Sequence, residues 1–312
     1  MTKRKRSSFK DVVPGVARFS SVFANLYAVE VSAERRQRAV VLVDTGLPLT
    51  AGKIRQAFRK HYGPEAKPRA IVLTHGHFDH AGGAPHLAAA WDIPVYAHNL
   101  ELPYLTHRSH YPPPDPTIGG AMGLLSRFMP RRRVDLNGRL RALPADGSVP
   151  EMPGWRWIHT PGHTPGHVSL FRESDRVLIC GDALTTVNQD SALAMLTRKR
   201  ELQPPPRPFT TDWQQARRSV EFLALLLPRV IAPGHGLPLA VAGLDERLRD
   251  FAMHFRPPRG GRYVRRPASA DATGVRQVPP PVPDLLPKIA AGAAVGAFAL
   301  GAFTWWWHRR AA

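Results

Sequence analysis

One segment constrains this chain more than any other. The apolar run Ala70–Leu73, a predicted strand, leads directly into the sequence THGHFDHAGG at residues 74–83. Four potential metal ligands, His75, His77, Asp79 and His80, fall within six residues there, among small residues that let the backbone turn tightly. A lone histidine is more often a packed or surface residue, but four ligands at this spacing indicate a metal site. His75 and His77 can reach one ion from the same side, whereas Asp79 and His80 face a second position.

Three later segments each offer a further ligand just past a predicted strand and beside glycine. They are TPGHTPGH at 160–167 with His163 and His167, CGDA at 180–183 with Asp182, and PGHG at 233–236 with His235. Ligand sites of α/β folds lie at such strand ends. Imidazoles combined with carboxylates suit borderline divalent metals, with zinc first and iron or manganese as alternatives.

The chain around these motifs alternates predicted strands and helices from residue 12 to about residue 255, which indicates a layered α/β domain. Strands are predicted at Phe23–Val31, Ala39–Val43, Ala70–Leu73, Trp155–Ile158, Val168–Phe171, Val177–Cys180 and Val230–Ala232. Helices are predicted at Thr50–His61, Ala81–Trp91, Asp212–Leu227 and Leu244–Phe255. Residues 1–11 form a basic tail, and the proline-rich residues 107–140, with Arg131–Arg133, are expected to be an inserted loop or lid.

The C-terminal residues differ in composition from the rest. Residues 257–287 contain eight prolines and five arginines, so residues 256–288 are expected to be a Pro/Arg-rich linker. Ile289–Trp307 then carries no charged residue and ends in three tryptophans before Arg309 and Arg310. Its nineteen residues are long enough for a transmembrane helix, and the tryptophans resemble an interfacial belt. An Ala/Gly-rich helix packed on the globular domain is the alternative.

The net charge and the cysteine content limit which binding partners and which cellular compartment are expected. The formal net charge is +19, with 43 Lys+Arg against 24 Asp+Glu, which suits anionic partners such as lipid headgroups or nucleic acid. A compositional bias toward arginine explains this excess equally well. The single Cys180 cannot form an intramolecular disulfide, which indicates a reducing compartment. No stretch near Met1 resembles a signal peptide, so the expectation is a membrane-anchored protein with a cytoplasmic catalytic domain.

The ligand motifs resemble those of the metallo-β-lactamase superfamily. HxHxDH at 75–80, the later His163, Asp182 and His235, and Asp44 in VDTG at 43–46 follow the family's order over residues 12–255. The resemblance implies an αββα four-layer sandwich with two divalent metals at the edge between its sheets. It assigns the first metal to His75, His77 and His163, the second to Asp79, His80 and His235, and the bridging position to Asp182. Asp44 is expected behind the ligands, orienting them, and His167 is expected to begin the next strand rather than bind metal.

This resemblance implies a dinuclear hydrolase in which a metal-bridging hydroxide attacks an ester, lactone or thioester carbonyl. Asp79 is the candidate catalytic residue, because it is placed to orient the hydroxide or to carry a proton to the leaving group. The motifs are most similar to those of lactonases and glyoxalase II-like hydrolases. Some lactonases carry a tyrosine three residues after the bridging aspartate, where this chain has Thr185. Cys180 is expected to be a buried packing residue.

Other activities of the same fold remain open. Phosphodiester hydrolysis, including that of nucleic acid, would use Arg131–Arg133 to bind phosphates, although a solvated basic loop is the commoner explanation. A persulfide dioxygenase with one iron uses similar motifs. Three other classes do not fit the sequence. Flavodiiron proteins typically carry a glutamate at the position of His77, and β-lactamases are normally exported. A metal-free binding scaffold would not need all seven ligands. A small-molecule substrate is therefore the expected partner, together with membrane lipid.

Overall fold

The described part of the chain comprises residues 8–31, 39–129, 134–197 and 199–284 of a computed structural model. The chain divides into two units, Met1–Pro279 and Pro280–Ala312. Only residues 280–284 of the second unit are described. All the helices and strands given below belong to the first unit.

Strands form three sheets in the described residues. Their bounds are Lys10–Val13 (β1), Val16–Ser21 (β2), Ala24–Glu30 (β3), Val40–Val43 (β4), Ala70–Val72 (β5), Val95–Ala97 (β6), Leu140–Ala142 (β7), Trp155–His159 (β8), Val168–Arg172 (β9), Val177–Gly181 (β10), Val230–Pro233 (β11), Ser269–Asp271 (β12) and Gly274–Gln277 (β13). A seven-stranded sheet has the order β1-β2-β3-β4-β5-β6-β7, and a four-stranded sheet has the order β11-β10-β9-β8. The first sheet is antiparallel from β1 to β4 and parallel from β4 to β7. Strands β12 and β13 form a separate antiparallel hairpin.

Helices connect these strands and cover the outer faces of the two large sheets. Their bounds are Ala51–Tyr62 (α1), Phe78–Ala81 (α2), Ala84–Trp91 (α3), Leu102–Leu105 (α4), Gly120–Ser126 (α5), Ala192–Thr197 (α6), Trp213–Leu225 (α7) and Leu244–His254 (α8). Asp212 caps α7, since its side chain accepts a hydrogen bond from the amide of Gln215 at 2.9 Å. Such a cap satisfies one of the free amides that every helix leaves at its first turn.

The period-two alternation of strand side chains builds a core of four layers. On β4, Val40 and Leu42 pack against α1 and α3, whereas Val41 and Val43 face the second sheet. Strand β10 mirrors this arrangement: Leu178 and Cys180 pack in the cluster that holds α7 and α8, and its other apolar side chains fill the space between the sheets. The result is helix, sheet, sheet, helix, which confirms the predicted αββα sandwich. Cys180 is buried, as expected.

The predicted strands and the predicted helices α1, α7 and α8 are present within a few residues of their expected ends. The predicted helix Ala81–Trp91 is instead divided into α2 and α3. A Cβ atom at Gly82 would lie 2.1 Å from the carbonyl oxygen of Phe78, and one at Gly83 would lie 2.4 Å from that of Thr45. Both glycines therefore permit a close approach of chain segments that a larger residue would block. The expected insert at 107–140 includes helix α5 as well as loop.

The prediction of a linker at residues 256–288 is wrong for residues 256–279. Residues 256–279 belong to the first unit, and β12 and β13 form a hairpin within them. Tyr263 is 1% exposed, and Val264, Ala268 and Val278 pack against the core that contains α7 and α8. The proline and arginine content suggested an extended chain, but these few apolar residues suffice to fix the segment against the domain. At the other end, Phe9 is buried and β1 begins at Lys10, so the fold begins before residue 12.

No helix within residues 8–31, 39–129, 134–197 and 199–284 is long and apolar enough to cross a membrane. The predicted transmembrane helix at Ile289–Trp307 lies outside the described residues. The arginine run at 131–133 and most of the basic tail at 1–11 lie outside them as well.

Candidate metal centre

The candidate ligands converge where the two large sheets share an edge. The candidate ligands, and Asp44 behind them, each follow a strand along the chain: Asp44 follows β4, His75 and His77 follow β5, Asp79 and His80 lie on the short helix α2 after them, His163 lies between β8 and β9, Asp182 follows β10, and His235 follows β11. Backbone hydrogen bonds join the sheets here, with the amide of Asn25 donating to Gly234 at 2.7 Å and that of Val168 to Thr74 at 2.9 Å. A Cβ atom at Gly234 would lie 2.1 Å from Oδ1 of Asp182. This glycine therefore lets the β11 loop close over the site.

One group of ligand atoms consists of three histidine nitrogens. Nδ1 of His77 lies 3.1 Å from Nε2 of His75 and 3.0 Å from Nε2 of His163. The ligand atoms of this group all lie within 4.8 Å of one another. The three residues are the set that the sequence resemblance assigned to the first metal.

A second group consists of Asp79, His80 and His235. Nε2 of His235 lies 3.4 Å from Oδ2 of Asp79 and 3.4 Å from Nε2 of His80. Asp182 lies between the groups, because its Oδ2 is 3.1 Å from Nε2 of His235 and 3.5 Å from Nε2 of His163. His75, His80 and Asp182 form a further cluster that spans both groups. Asp182 is thus the carboxylate that lies within reach of both groups.

Asp44 supports the ligands from behind. Its Oδ1 accepts the amide of Thr74 at 2.8 Å, and its Oδ2 accepts the hydroxyl of Thr74 at 2.8 Å. Nδ1 of His80 donates to the same Oδ2 at 2.9 Å. Since the hydroxyl of Thr74 donates to Asp44, its oxygen is left to accept from Nδ1 of His75 at 3.1 Å. These bonds leave Nε2 of both histidines unprotonated toward the centre when the rings are neutral.

Two further histidines are oriented in the same way. Nδ1 of His235 donates to the carbonyl of Phe23 at 3.1 Å, and Nδ1 of His163 lies 3.4 Å from the hydroxyl oxygen of Thr210. In each ring the opposite nitrogen, Nε2, faces the centre. The outer hydrogen bonds therefore hold several lone pairs toward one region.

The histidines of the centre fall into two groups according to whether their pKa is lowered or raised. Burial lowers the pKa of His75 and of His163, and lowers that of His77 to about 4. Burial also opposes the charged form of His80 and His235, but the carboxylates, Asp182 foremost, outweigh it: the pKa of His80 is raised and that of His235 reaches about 10. Burial likewise opposes the ionised form of Asp182, yet His235 and His80 hold its pKa well below the usual range. The carboxylates and the first histidine group are thus in the protonation states that metal binding requires.

The residues present fit divalent metal ions. Nδ1 of His77 lies 3.0–3.1 Å from two other imidazole nitrogens, and a single proton on Nδ1 can form a good hydrogen bond to only one of them, whereas a cation between the rings can accept all three lone pairs. Oδ1 of Asp182 is buried without a hydrogen-bond partner in the described residues, which is costly for a carboxylate oxygen. Histidine nitrogen and carboxylate oxygen are the donors that zinc and iron accept. The His/Asp cluster could therefore hold two metal ions.

His167 has a different role from His163. Its Nε2 accepts the backbone amide of Asp182 at 2.9 Å, and its Nδ1 lies 2.8 Å from the hydroxyl oxygen of Thr160. With Nε2 occupied in this way, the ring positions the Asp182 loop. His167 belongs to none of the potential metal-binding clusters of the described residues, and β9 begins at the next residue.

Sequence reasoning missed Glu101, which is fully buried beside the centre. Its Oε2 accepts the amide of Gly76 at 2.9 Å and the hydroxyl of Tyr111. Its Oε1 accepts the hydroxyl of Thr164 and the amide of Gly166, each at 2.8 Å. One carboxylate therefore ties the loop that carries His75 and His77 to the loop that carries His163. No motif marks Glu101 in the sequence, because its partners come from three separate segments.

Sequence reasoning also missed Tyr111, which comes from the insert. Its ring lies against that of His77, with centroids 4.6 Å apart, and it lines the cavity in front of the centre. Thr185, at the position where some lactonases carry tyrosine, is buried and donates its hydroxyl to the carbonyl of Val187 at 3.2 Å. The tyrosine beside this centre is therefore Tyr111 of the insert rather than a tyrosine at position 185.

The centre opens into a cavity of about 500 Å³. His77, Asp79, His163, Asp182 and His235 form its polar end. The remaining lining is largely apolar and comprises Phe23, Tyr104, Pro112–Pro114, Met122, Met129, Val134 and Phe209 among others. None of the described lining residues is Lys or Arg. This is the size and character of a pocket for a small, largely apolar ligand.

Two sheets layered between helices, with histidines and aspartates gathered at their shared edge, define the metallo-β-lactamase class of fold. The family model described as "Metallo-beta-lactamase superfamily" matches residues 22–235. The chain therefore belongs to the metallo-β-lactamase superfamily.

Individual relatives agree with this membership. The chain is 41% identical over 243 residues to a protein of Bacillus subtilis named probable metallo-hydrolase YflN, covering 78% of this chain and 91% of the relative. Matches that cover about half of the relative include an N-acyl homoserine lactonase from Bacillus sp (31% identity, 42% of this chain and 48% of the relative). They also include hydroxyacylglutathione hydrolase GloC from Haemophilus influenzae (28% identity, 37% of this chain and 50% of the relative). The solved structure of a beta-lactamase domain protein from Burkholderia ambifaria superposes with a TM-score of 0.56 at 21% identity, covering 79% of this chain and 76% of that one; this similarity shows the fold.

Proposed function

We propose that this protein is a dinuclear metal-dependent hydrolase of esters, lactones or thioesters that carry an apolar group. The observation that carries the proposal is the cavity, which joins a His/Asp cluster at one end to an apolar lining at the other. A substrate with its carbonyl at the cluster would place its apolar part against Met122, Met129 and Phe209.

In this proposal His75, His77 and His163 hold one ion, Asp79, His80 and His235 hold the other, and Asp182 bridges them. Zinc is the metal that this donor set favours, with iron or manganese as alternatives. Bound divalent ions would lower the pKa of water toward 7 and polarise the substrate carbonyl.

The protein's own acid–base group is Asp79. Its carboxylate lines the cavity, and His80 and His235 hold its pKa below the ordinary value against the opposing effect of burial. It is therefore ionised at neutral pH and can accept a proton from the attacking water. Hydrolysis forms a bond from that water oxygen to the carbonyl carbon and breaks the bond to the leaving oxygen or sulfur. Asp79 then delivers the proton to the leaving group.

Two names among the relatives support the carbonyl assignment. The N-acyl homoserine lactonase and hydroxyacylglutathione hydrolase GloC are named for a lactone and a thioester substrate. Phosphodiester hydrolysis is the alternative, because Arg131–Arg133 could bind phosphate, although the described lining holds no Lys or Arg. A mononuclear-iron persulfide dioxygenase is a further alternative, in which only one of the two ligand groups would hold a metal ion.

A substrate screen with metal analysis tests the proposal. The purified protein should contain about two divalent ions per chain and should cleave neutral aryl esters, lactones or acyl thioesters in preference to bis(p-nitrophenyl) phosphate. Neutralising Arg131–Arg133 together should leave ester cleavage nearly unchanged. Full activity with a single iron would support the dioxygenase, and phosphodiesterase activity lost in the triple variant would support the alternative hydrolase.

We further propose that Ile289–Trp307 anchors the protein to a membrane, with the catalytic domain on the cytoplasmic side. The support is its uncharged length and the terminal tryptophans beside Arg309 and Arg310, which suit a span and its interface. The single cysteine is compatible with a reducing compartment. Membrane lipid would then be a partner in addition to the substrate, whereas nucleic acid would be a partner only of the phosphodiesterase alternative.

A further inference from the structure

The wall of the cavity is held from outside by the C-terminal end of the first unit. Residues 109–114, which we call the wall, all line the cavity. Residues 261–279, which we call the strap, contact this wall, and none of its residues lines the cavity. The strap lies beyond residues 22–235, the part of the chain that matches the family model.

Three hydrogen bonds join the strap to the wall and its neighbours. The hydroxyl of Tyr263 donates to the carbonyl of Pro113 at 2.5 Å. The amide of Val275 on β13 donates to the hydroxyl oxygen of Ser109 at 3.0 Å. The amide of Arg262 donates to Oδ2 of Asp115, immediately after the wall, at 2.6 Å. The strap therefore contacts the wall at both of its ends.

The contact is close-packed as well as hydrogen-bonded. A Cβ atom at Gly274, where φ is +116°, would lie 2.2 Å from Cβ of Ser109, and one at Gly261 would lie 2.7 Å from Oδ2 of Asp115. Tyr263 is 1% exposed and packs in the same core cluster as Ile118. Glycine at these positions thus allows the strap to lie directly on the wall.

The wall also reaches the metal centre. Tyr111 within it packs on His77 and donates to Glu101, and its ring stacks on Tyr104 with centroids 4.0 Å apart. A movement of the wall would therefore change the dimensions of the cavity next to the reacting end. The candidate ligands themselves come from other segments of the chain.

We propose that the strap is a specificity element: by holding the wall in place it sets the length of the apolar group that the cavity accepts beside the metal centre. The proposal rests on the proposed function for the kind of substrate, but the placement of the wall can be measured without catalysis. Residues Tyr263 and Gly274 act through the wall and are positioning residues.

The test uses two matched pairs of variants of the full chain. Tyr263→Phe removes only the hydroxyl that bonds to Pro113, and Tyr96→Phe removes a hydroxyl on β6, away from the strap and the cavity lining. Gly274→Ala places a methyl group against Ser109, whereas Gly260→Ala adds one where no atom lies within 4 Å. If Gly274→Ala fails to fold, the milder Tyr263→Phe still tests the proposal.

The first measurement is the binding of two uncleavable carbonyl compounds, 2-butanone and 2-octanone, by NMR titration. The unaltered protein should bind 2-octanone more tightly, because the longer compound buries more apolar surface. Tyr263→Phe should reduce the ratio of the two affinities by at least about twofold and by no more than about tenfold, since the lost hydrogen bond limits how much binding free energy a displaced wall can remove. Gly274→Ala should reduce it further, and the two control variants should retain it. An unchanged ratio in Tyr263→Phe, or an equal change in its control, would overturn the proposal.

The second measurement is hydrogen exchange of residues 109–117, which should become faster in Tyr263→Phe than in Tyr96→Phe. Unchanged exchange would show that the strap does not hold the wall. The ratio of kcat/KM for p-nitrophenyl octanoate and acetate should follow the ketone ratio. If the ketone ratio changes while no ester, lactone or thioester is cleaved, the proposed function fails and the specificity element stands.

Discussion

At the scale of single residues, the two histidines of the segment 160–167 give a direct test of the ligand assignment. His163→Ala removes a nitrogen 3.0 Å from Nδ1 of His77, so we expect loss of metal and at least a hundredfold loss of activity. His167→Ala removes an acceptor of the Asp182 amide and should retain metal while activity falls less. Metal content by elemental analysis separates the two. Metal lost in the His167 variant and kept in the His163 variant would reverse the assignment.

The Glu101 carboxylate is predicted to control metal affinity by positioning two ligand loops. In Glu101→Gln, an amide N–H₂ replaces an acceptor beside either the amide of Gly76 or that of Gly166, and a buried unsatisfied donor costs about 1–3 kcal/mol. We expect at least a tenfold fall in metal affinity, measured by chelator competition. The control Glu151→Gln changes a half-exposed carboxylate paired with Arg69. Equal affinity in the two variants would contradict the predicted role.

Proton release should accompany metal binding, because the metal-free centre holds protons that the ions displace. The pKa of His235, at about 10, keeps its ring protonated at pH 8, and the carboxylates around His80 raise the pKa of that ring as well. Burial lowers the pKa of His75, His77 and His163 and so favours their neutral form. Metal uptake at pH 8 should release protons from His235 and His80 but not from the first histidine group, in addition to the proton of a metal-bound water. Metal affinity should rise as the pH increases toward 10. Calorimetric titration in two buffers of different ionisation enthalpy measures this release. Uptake without proton release would contradict the charge distribution.

The seven ligand candidates could be predicted because four of them crowd into the six residues 75–80 that follow an apolar strand. The other three each stand beside glycine shortly after a further apolar strand, a combination that rarely arises by chance. Glu101 could not be predicted, since an isolated glutamate carries no periodicity and its four donors meet only in the folded chain. The position of Tyr111 beside the centre could not be predicted either. Its proline-rich stretch predicts a loop but does not indicate toward which part of the molecule the loop runs.

At the scale of elements, the apolar runs predicted the buried strands correctly, because parallel or central strands are apolar on both faces. Strands β4 and β10 are buried throughout. The missed strands are shorter or carry polar residues, as in Lys10–Val13 and Leu140–Ala142. The hairpin β12–β13 was missed because its flanking prolines and arginines indicate an extended chain, while its strand β13 is held by a hydrogen bond from Val275 to Ser109, which lies far away in sequence.

If the strap is part of the folded domain rather than a linker, shortening the chain before the strap should destabilise the domain. A chain that ends at Phe255 lacks Tyr263, Val264 and Val278, which pack on the core of α7 and α8. Full burial of the Tyr263 side chain contributes about 1.5–3 kcal/mol and the partly buried valines add less, so the melting temperature should fall by roughly 5 °C or more. A chain that ends at Pro279 keeps the strap and should melt near the temperature of the full chain. Equal melting temperatures for the two truncations would show that the strap adds no stability.

At the scale of the whole molecule, the proposed anchor predicts where the protein is found. The full chain should sediment with membranes and need detergent for release, whereas the chain that ends at Pro279 should be soluble and active. The centre of the proposed span is Phe298, where an arginine costs about 2.5–3.5 kcal/mol for insertion. Phe298→Arg should therefore shift the protein toward the soluble fraction, and the control Phe298→Leu should leave it in the membrane. Because the strap holds the cavity wall in both chain lengths, kcat/KM for a water-soluble ester should be equal in the full chain and in the chain that ends at Pro279. A full chain that is soluble without detergent would reject the anchor and leave the catalytic proposal unaffected.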